Sequence, residues 1–175
     1  MTTKTDVPEL ELKLQDFCDR IGASYRDARY ALAHGMVPTG IDREPGRGKH
    51  RVFNDRQAFW LAIVLKCKAA GIKPKLATEI ANWSRRVSGY AQNLGWDWQF
   101  SPFLGNFATD QQWYLDVGDA KYVRIVTDAN PSRQGLHDES GWVDMKTCKL
   151  RPDAGPVVIV RIDLSRLAGQ LQGVS

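Results

Sequence analysis

Residues 22–53 constrain the fold of this chain more than any other stretch, because they join a helical pattern to a glycine-rich basic segment. At about 100° per residue, the stretch from Ser24 to His34 predicts a helix with two distinct faces. One face is expected to pack on a core, and the other offers two guanidinium groups and a phenol to a partner. The outward face carries Arg26, Arg29, Tyr30 and Ala33, and the core-facing one Tyr25, Ala28 and Leu32.

The end of this helix and the segment after it have a different character. Gly35 suits a left-handed C-terminal cap, and Pro38 prevents the helix from restarting. Residues 40–53 place turn-forming glycines and a proline among cations, which predicts a short hairpin with a cationic tip. Such a tip suits a phosphate backbone, since Lys and Arg neutralise phosphates whatever the base sequence. The cations are Arg43, Arg47, Lys49, His50 and Arg51.

Charge is concentrated in the same half of the chain. Residues 1–86 contain 16 Lys and Arg against 10 Asp and Glu, a net charge of +6, whereas residues 87–175 contain 8 against 10, a net charge of −2. Only the first half therefore has the electrostatic character of a surface that binds a polyanion. Charge alone also fits a solvated loop, but the separated helix faces and the basic hairpin favour contact with nucleic acid.

Further helices are predicted on both sides of this segment. Apolar residues at helical spacing predict a first helix from Pro8 to Ile21, closed by Gly22. The tight link that follows predicts a helix-turn-helix in which Ser24 is the N-cap, with a phosphate contact as the alternative for its hydroxyl. Asn54 and Gln57 resemble a capping box at the start of a third helix.

The third helix is expected to run to Gly71, with Trp60 and Cys67 in the core. Pro74 then opens a fourth helix. Its buried stripe is predicted to contain Leu76, Ile80, Trp83 and Val87.

One ordered set of residues spans all of these elements: Gly22, Ser24, Arg26, Arg29, Tyr30, Gly35, Pro38, Arg51, Val52, Phe53, Asp55, Gly71 and Ile72. Their order and spacing over residues 10–83 resemble the winged helix-turn-helix domain of the MerR family of transcription regulators. In that pattern a Gly-hydrophobic-Ser-x-Arg-x-x-Arg-Tyr helix is followed by Gly-x-x-Pro. A wing ending in Arg-x-aromatic comes next, and then two more helices. The resemblance covers somewhat under half of the chain.

The resemblance implies a sequence-specific regulator that binds an inverted repeat of double-stranded DNA as a homodimer. The second helix would enter the major groove, where a guanidinium contacts guanine O6 and N7. The wing would hold the flanking backbone or reach into the minor groove. The DNA-binding residues expected from the pattern are Ser24, Tyr25, Arg26, Arg29, Tyr30, Arg43, Arg47, Lys49, His50 and Arg51.

The chain departs from the family pattern in three places. Its wing is longer and more basic than usual, and Ala31 replaces the second aromatic that commonly follows Arg-Tyr, which removes one expected aromatic contact. Residues 88–110 contain glycine, proline and several aromatics, which break any heptad pattern. The long dimerisation helix of the family is therefore not expected.

The second half of the chain reads mainly as β structure. We place a domain boundary near residue 95, which gives a DNA-binding domain over residues 8–94 and a small α+β domain over residues 95–175. Residues 112–117 and 121–127 flank a Gly118-Asp119 turn and predict a hairpin.

The predicted fold class is α+β, with an N-terminal winged helix-turn-helix and a small antiparallel sheet. The C-terminal domain is expected to provide the dimer contact, a small-molecule or protein effector site, or both.

Three further elements are predicted near the C-terminus. Residues Gly141–Leu150 suggest a third strand. The run Val157–Val160 has no alternation, which predicts a central strand covered on both faces. A final helix beginning at Asp163 or Ser165 would pack on the sheet or on a second subunit through Leu164, Leu167 and Leu171.

Catalytic, cofactor and metal chemistry have little support in the sequence. There is no phosphate-binding Gly-x-x-x-x-Gly-Lys loop, nucleophile elbow or His-Glu-x-x-His motif, so we expect neither an enzyme nor a cofactor. Three histidines are present, and the run His137-Asp138-Glu139 lacks a second cluster for a metal. Cys18 and Cys67 lie on apolar helix faces and Cys148 in a predicted strand, which disfavours a disulfide framework and a thiol sensor.

Composition sets the broad class. A chain of 175 residues with 43% hydrophobic and 25% charged residues is typical of a globular protein. No uninterrupted apolar stretch approaches 18 residues, and the charged N-terminus does not resemble a signal peptide. We therefore expect a cytoplasmic location. Two other functions stay open: an excisionase-like architectural protein that bends DNA, and a protein- or ligand-binding module without DNA binding.

Overall fold

The computed structural model describes residues 11–41, 51–93, 112–127, 142–147, 149–151 and 154–173. Within these residues the protein is α+β, with five helices and two antiparallel sheets. The elements are β1 (Leu12–Lys13), α1 (Leu14–Ile21), α2 (Tyr25–Ala33), β2 (Val52–Phe53), α3 (Asp55–Ala69), α4 (Pro74–Asn93), β3 (Trp113–Gly118), β4 (Tyr122–Thr127), β5 (Val143–Asp144), β6 (Lys149–Leu150), β7 (Ile159–Asp163) and α5 (Leu164–Gln172).

The first helix begins later than the sequence predicts. Leu12 and Lys13 belong to β1 and pair antiparallel with Phe53 and Val52 of β2, so the prediction of a continuous helix is wrong at these two residues. The strand places Leu12 in the core. A pairing between strands about 40 residues apart therefore replaces the helical turn that local periodicity suggested. Pro8 and the rest of the predicted start lie outside the described residues.

The ends of α1 and α2 are confirmed. Gly22 and Gly35 take positive φ values of 62° and 65°, the conformation that a left-handed cap requires. Beyond Gly35 the backbone N–H of Met36 donates to the carbonyl of Ala31 at 2.8 Å. This bond satisfies a carbonyl of the last turn, and the chain then turns away from the helix axis.

The central element is α3, on which α4, α5 and β7 all pack. The predicted capping box is confirmed. The Asn54 side chain accepts from the Gln57 backbone N–H at 2.9 Å, and the Gln57 side chain accepts from the Asn54 backbone N–H at 3.2 Å. Residues 58–65 are all buried, and the predicted core positions of Trp60 and Cys67 are confirmed.

The larger sheet has the strand order β6-β5-β4-β3-β7. The predicted hairpin is confirmed as β3 and β4, although its turn is centred one residue later, on Asp119 and Ala120. Both residues have positive φ, at 49° and 52°, as a type I′ turn requires. The Lys121 N–H closes this turn on the Gly118 carbonyl at 3.0 Å.

The prediction of a single strand over Gly141–Leu150 is wrong. The described residues of this range form two short strands, β5 and β6, which pair with each other. The Asp144 carboxylate accepts hydrogen bonds from the backbone N–H groups of Lys146 and Thr147 at 2.9 and 3.0 Å. Asp side chains favour turns through bonds of this kind, and the chain reverses here.

The prediction of a buried central strand at Val157–Val160 is also wrong. Among the described strands, β7 lies at one end of the sheet order. Val157 and Val158 are 92% and 61% exposed. A run of β-branched residues favours extended backbone even without burial on both faces, and this explains why the apolar run proved misleading.

The predicted final helix is confirmed as α5. Asp163 is its N-cap and accepts from a backbone N–H of the first turn at 2.8 Å. Leu164, Leu167 and Leu171 are buried in the same hydrophobic cluster as the cores of α1 and α3. They are therefore used within this chain, and the alternative of packing on a second subunit is not realised. The predicted boundary at residue 95 lies outside the described residues and stays a prediction.

Candidate nucleic-acid interface

Helix α2 is held with one side against the core. Ala28, Ala31 and Leu32 are buried, and α2 packs against α1. Because Ala31 faces inward in this chain, the aromatic contact that the family pattern suggested there would not lie on the exposed face. The opposite side of the helix is directed to solvent.

The exposed side carries the predicted residues. Arg26 and Arg29 are exposed, and Tyr30 is 47% exposed. Tyr25 was expected on the core-facing side, but it is 41% exposed, so that prediction is wrong. Tyr25 is the first residue of the helix. Because it lies at the end of the amphipathic pattern, its side chain extends past the edge of the core.

Ser24 fixes where α2 begins. Its Oγ accepts a hydrogen bond from the backbone N–H of Asp27 at 3.3 Å, and its backbone is extended, as an N-cap requires. The predicted capping role is confirmed. The hydroxyl, for which a phosphate contact is the alternative, thus satisfies a backbone N–H in the first turn of the helix.

A lysine from α3 completes the exposed surface. The Lys68 ammonium lies 2.6 Å from a carboxylate oxygen of Asp27 and 5.5 Å from the centroid of the Tyr30 ring. The His34 ring lies 4.2 Å from the same Tyr30 ring on its own helix. The sequence indicated Lys68 only as a cation favourable at a helix end. Its position beside α2 depends on tertiary packing and could not be read from spacing.

The charge of this surface is positive. Asp27 is the one acidic residue of α2, and Lys68 neutralises it. In the described parts of the chain, neither Arg26 nor Arg29 pairs with a carboxylate. Two guanidinium groups therefore face solvent on one helix, with no ion pair to the described carboxylates.

The basic segment after α2 is attached to the same helical body at both ends. Before it, Ile41 is buried, and the Gln57 side chain donates to the Gly40 carbonyl at 3.1 Å. After it, Arg51 is half-buried at the entrance to β2. The segment therefore leaves and rejoins the fold beside the start of α3. Four of the predicted DNA-binding residues lie outside the described residues: Arg43, Arg47, Lys49 and His50.

Sequence reasoning missed a second charged cluster, on the C-terminal sheet. The Asp116 carboxylate accepts from Arg161 at 2.7 and 2.9 Å and from Arg124 at 3.0 Å. The two guanidinium groups lie over the rings of Tyr114 and Trp142. The observed hairpin places Asp116 opposite Arg124, a pairing that the predicted turn at Gly118 and Asp119 does not give. The three strands are joined by these charges, which indicates a structural role.

The two cysteines that the structure describes, Cys18 and Cys67, have the raised pKa values of unreactive thiols. Burial is the main cause that raises the pKa of Cys18 to about 11 and of Cys67 to about 12. A reactive thiol needs the opposite shift, because the thiolate is the nucleophile. The described ranges contain no group of three or more His, Cys, Asp or Glu placed to hold a metal, and no helix in them is long and apolar enough to cross a membrane. The run at 137–139 falls outside these ranges.

Comparison with known proteins identifies no relative of this chain. The chain matches no protein-family model, no curated protein and no solved structure. The resemblance to the MerR winged domain therefore stays a prediction based on its motif.

Proposed function

We propose that the protein is a sequence-specific regulator of transcription that binds double-stranded DNA. In this proposal α1 and α2 form a helix-turn-helix, and residues 43–53 form its wing. One observation carries the proposal. Arg26, Arg29 and Tyr30 project from the side of α2 opposite its buried side, and neither guanidinium is paired with a carboxylate in the described residues.

Helix α2 has the size and chemistry for the major groove. An α-helix with its side chains is about 10–12 Å wide, which fits a groove of about 12 Å. There Arg26 and Arg29 donate to guanine O6 and N7, and Tyr30 offers a phenol and an apolar ring edge. These contacts read base sequence, whereas contacts to phosphate fix the register of the protein on the duplex.

The basic segment supplies the contacts that do not depend on sequence. Its cations neutralise backbone phosphates and release counterions, so that affinity falls as salt rises. The described residues on either side of the segment support this proposal, because Gly40 is hydrogen-bonded to Gln57 of α3 and β2 contacts α3. The residues assigned to this role are Arg43, Arg47, Lys49, His50 and Arg51.

Binding as a homodimer to an inverted repeat is part of the proposal. Two copies related by a two-fold axis present two α2 helices to half-sites one helical turn apart. The leucines of α5 are buried within the chain, so the dimer must use another surface.

Selection from random duplex DNA, followed by affinity measurements from low to high salt, tests the proposal. We expect an enriched inverted repeat whose affinity falls steeply with salt. Salt-sensitive binding without an enriched motif would instead favour an architectural, excisionase-like protein. A strong bend in a circular-permutation gel would support that outcome. Absence of duplex binding would refute the proposal and favour a protein- or ligand-binding module.

A further inference from the structure

The exposed side of α2 contains one group that opposes DNA binding. The Asp27 side chain is 52% exposed and lies one residue from Arg26. A carboxylate that faces a polyanion repels it, and juxtaposed like charges at an interface weaken association. A surface that binds phosphate-rich DNA therefore has to neutralise this group.

Lys68 meets that requirement from a fixed position. Its ammonium is 2.6 Å from Asp27, and its own side chain is only 26% exposed, half the exposure of its partner. Lys68 belongs to α3, whose residues 58–65 are buried. The cation is thus attached to the most buried helix of the described chain, and it points toward α2.

The same ammonium also contacts the outward-facing aromatic ring. Lys68 Nζ lies 5.5 Å from the Tyr30 ring centroid, within the range of a cation–π interaction. His34 packs against that ring at 4.2 Å. Asp27, Tyr30 and His34 follow one another along one stripe of α2, and Lys68 links the first two of them to α3.

We propose that Lys68 is a positioning residue for DNA reading, which masks Asp27 and fixes the Tyr30 ring without contacting a phosphate itself. This inference rests on the proposed function of α2. It means that a residue of α3, outside the recognition helix, controls how Asp27 and Tyr30 of α2 face a duplex.

A double-mutant cycle tests the masking. In Lys68→Ala the carboxylate is left facing the duplex, and we expect affinity for the selected site to fall on the order of tenfold. In Lys68→Ala/Asp27→Ala the repulsion is removed, and affinity should return to within about threefold of Asp27→Ala, because the two effects belong to one contacting pair. The slope of log affinity against log salt should be the same for these last two proteins.

A different result would overturn the inference. If Lys68 binds a phosphate directly, the double variant stays as weak as Lys68→Ala. Its slope of log affinity against log salt is then smaller than that of Asp27→Ala by about one unit. Lys149→Ala is the matched control. It removes the same charge from β6, the strand farthest from β7 in the sheet order, and should leave binding unchanged.

The contacts of Lys68 are also measurable without DNA. Proton NMR of the free protein should show nuclear Overhauser contacts from the Lys68 Hε protons to the Tyr30 ring. These contacts should weaken in Asp27→Ala, and their absence in the unaltered protein would overturn the inference. If the unaltered protein binds no duplex, the proposed function itself fails. If it binds duplex but Asp27→Ala does not rescue Lys68→Ala, only the role of Lys68 fails.

Discussion

Asp116 is bound by Arg161 through two hydrogen bonds, of 2.7 and 2.9 Å, although the two residues are 45 positions apart in the chain. Arg161 lies directly opposite Asp116 on the neighbouring strand β7. The carboxylate is 0% exposed, and Arg124 approaches it from the other neighbouring strand. The charge of one buried group therefore joins the three strands β4, β3 and β7.

Replacing Asp116 with Ala should destabilise the protein markedly. The change leaves two guanidinium groups without their shared carboxylate, and breaking a buried pair is strongly unfavourable. We expect a loss of roughly 3 kcal/mol in the free energy of unfolding, at the lower end of the usual range because Arg161 is half-exposed. Urea unfolding followed by tryptophan fluorescence measures it. Asp27→Ala breaks a partly exposed pair and should lose less than about 1 kcal/mol; equal losses would contradict this account.

Arg29→Ala should weaken and relax specific DNA binding. In the proposed complex, loss of a guanidinium from the exposed side of α2 removes a base contact, so we expect about 1–3 kcal/mol less binding free energy on the selected site and little change on random duplex. Fluorescence anisotropy with both duplexes measures the difference. Arg166→Ala, on the exposed side of α5, removes the same side chain and should change neither affinity.

Arg47→Ala provides the comparison for a backbone contact. It should weaken binding to both duplexes alike and reduce the salt slope by about one unit. If Arg29→Ala and Arg47→Ala lose affinity equally on specific and random DNA, the division between base reading and backbone contact is wrong.

Two valine substitutions compare a buried position in β3 with the exposed segment that precedes β7. Val117 is 1% exposed and Val157 is 92% exposed, and Val→Ala removes the same two methyl groups from each. We expect Val117→Ala to lose about 2 kcal/mol of unfolding free energy and Val157→Ala less than about 0.5 kcal/mol. A large loss for Val157→Ala would restore the interpretation of a buried central strand.

Acid should weaken the protein through Asp144. The hydrogen bond from the Thr147 backbone N–H is the largest cause that lowers the pKa of Asp144 below its ordinary value. The unfolded state therefore takes up the proton first as the pH falls, so this contribution to stability is present above the ordinary pKa of 3.8 and is lost below it. Urea midpoints from pH 7 to pH 2 should fall less steeply for Asp144→Asn. Parallel curves would show that Asp144 does not contribute.

Cys18 and Cys67 should resist alkylation in the folded protein. With pKa values raised to about 11 and 12, both thiols stay protonated at pH 8, and their burial blocks the reagent. Iodoacetamide labelling followed by peptide mass spectrometry should find both unmodified until urea is added. Labelling of either residue in the native protein would contradict this account and would make a thiol sensor a candidate function again.

Local chemistry made much of this fold predictable. The left-handed glycine after α2, the Asn54/Gln57 capping box and the hairpin turn near Asp119 are each determined by residues within a few positions of one another. Their backbone and side-chain bonds close over short distances, so the sequence pattern contains them in full. The side of α2 that carries Arg26 and Arg29 was predictable for the same reason.

Other features depend on partners that are distant in sequence. Leu12 looks helical by spacing but pairs with Phe53 across the fold. Val157 looks buried by hydrophobicity, yet it is 92% exposed just before β7, and nothing in the neighbouring sequence shows that β7 ends the sheet order. Lys68 reaches Asp27 from a helix 41 residues away. Spacing rules describe one element at a time, and these three arrangements arise from how elements meet.

The packing of α5 also has a consequence for synthesis. Leu164, Leu167 and Leu171 pack against α1 and α3, yet they are synthesised well after both of these helices. Chains often fold from the N-terminus as each part emerges, but here α1 and α3 would expose an open apolar surface until α5 has been synthesised. These two helices therefore need protection from aggregation until α5 emerges, and α2, which packs on α1, reaches its final support only then.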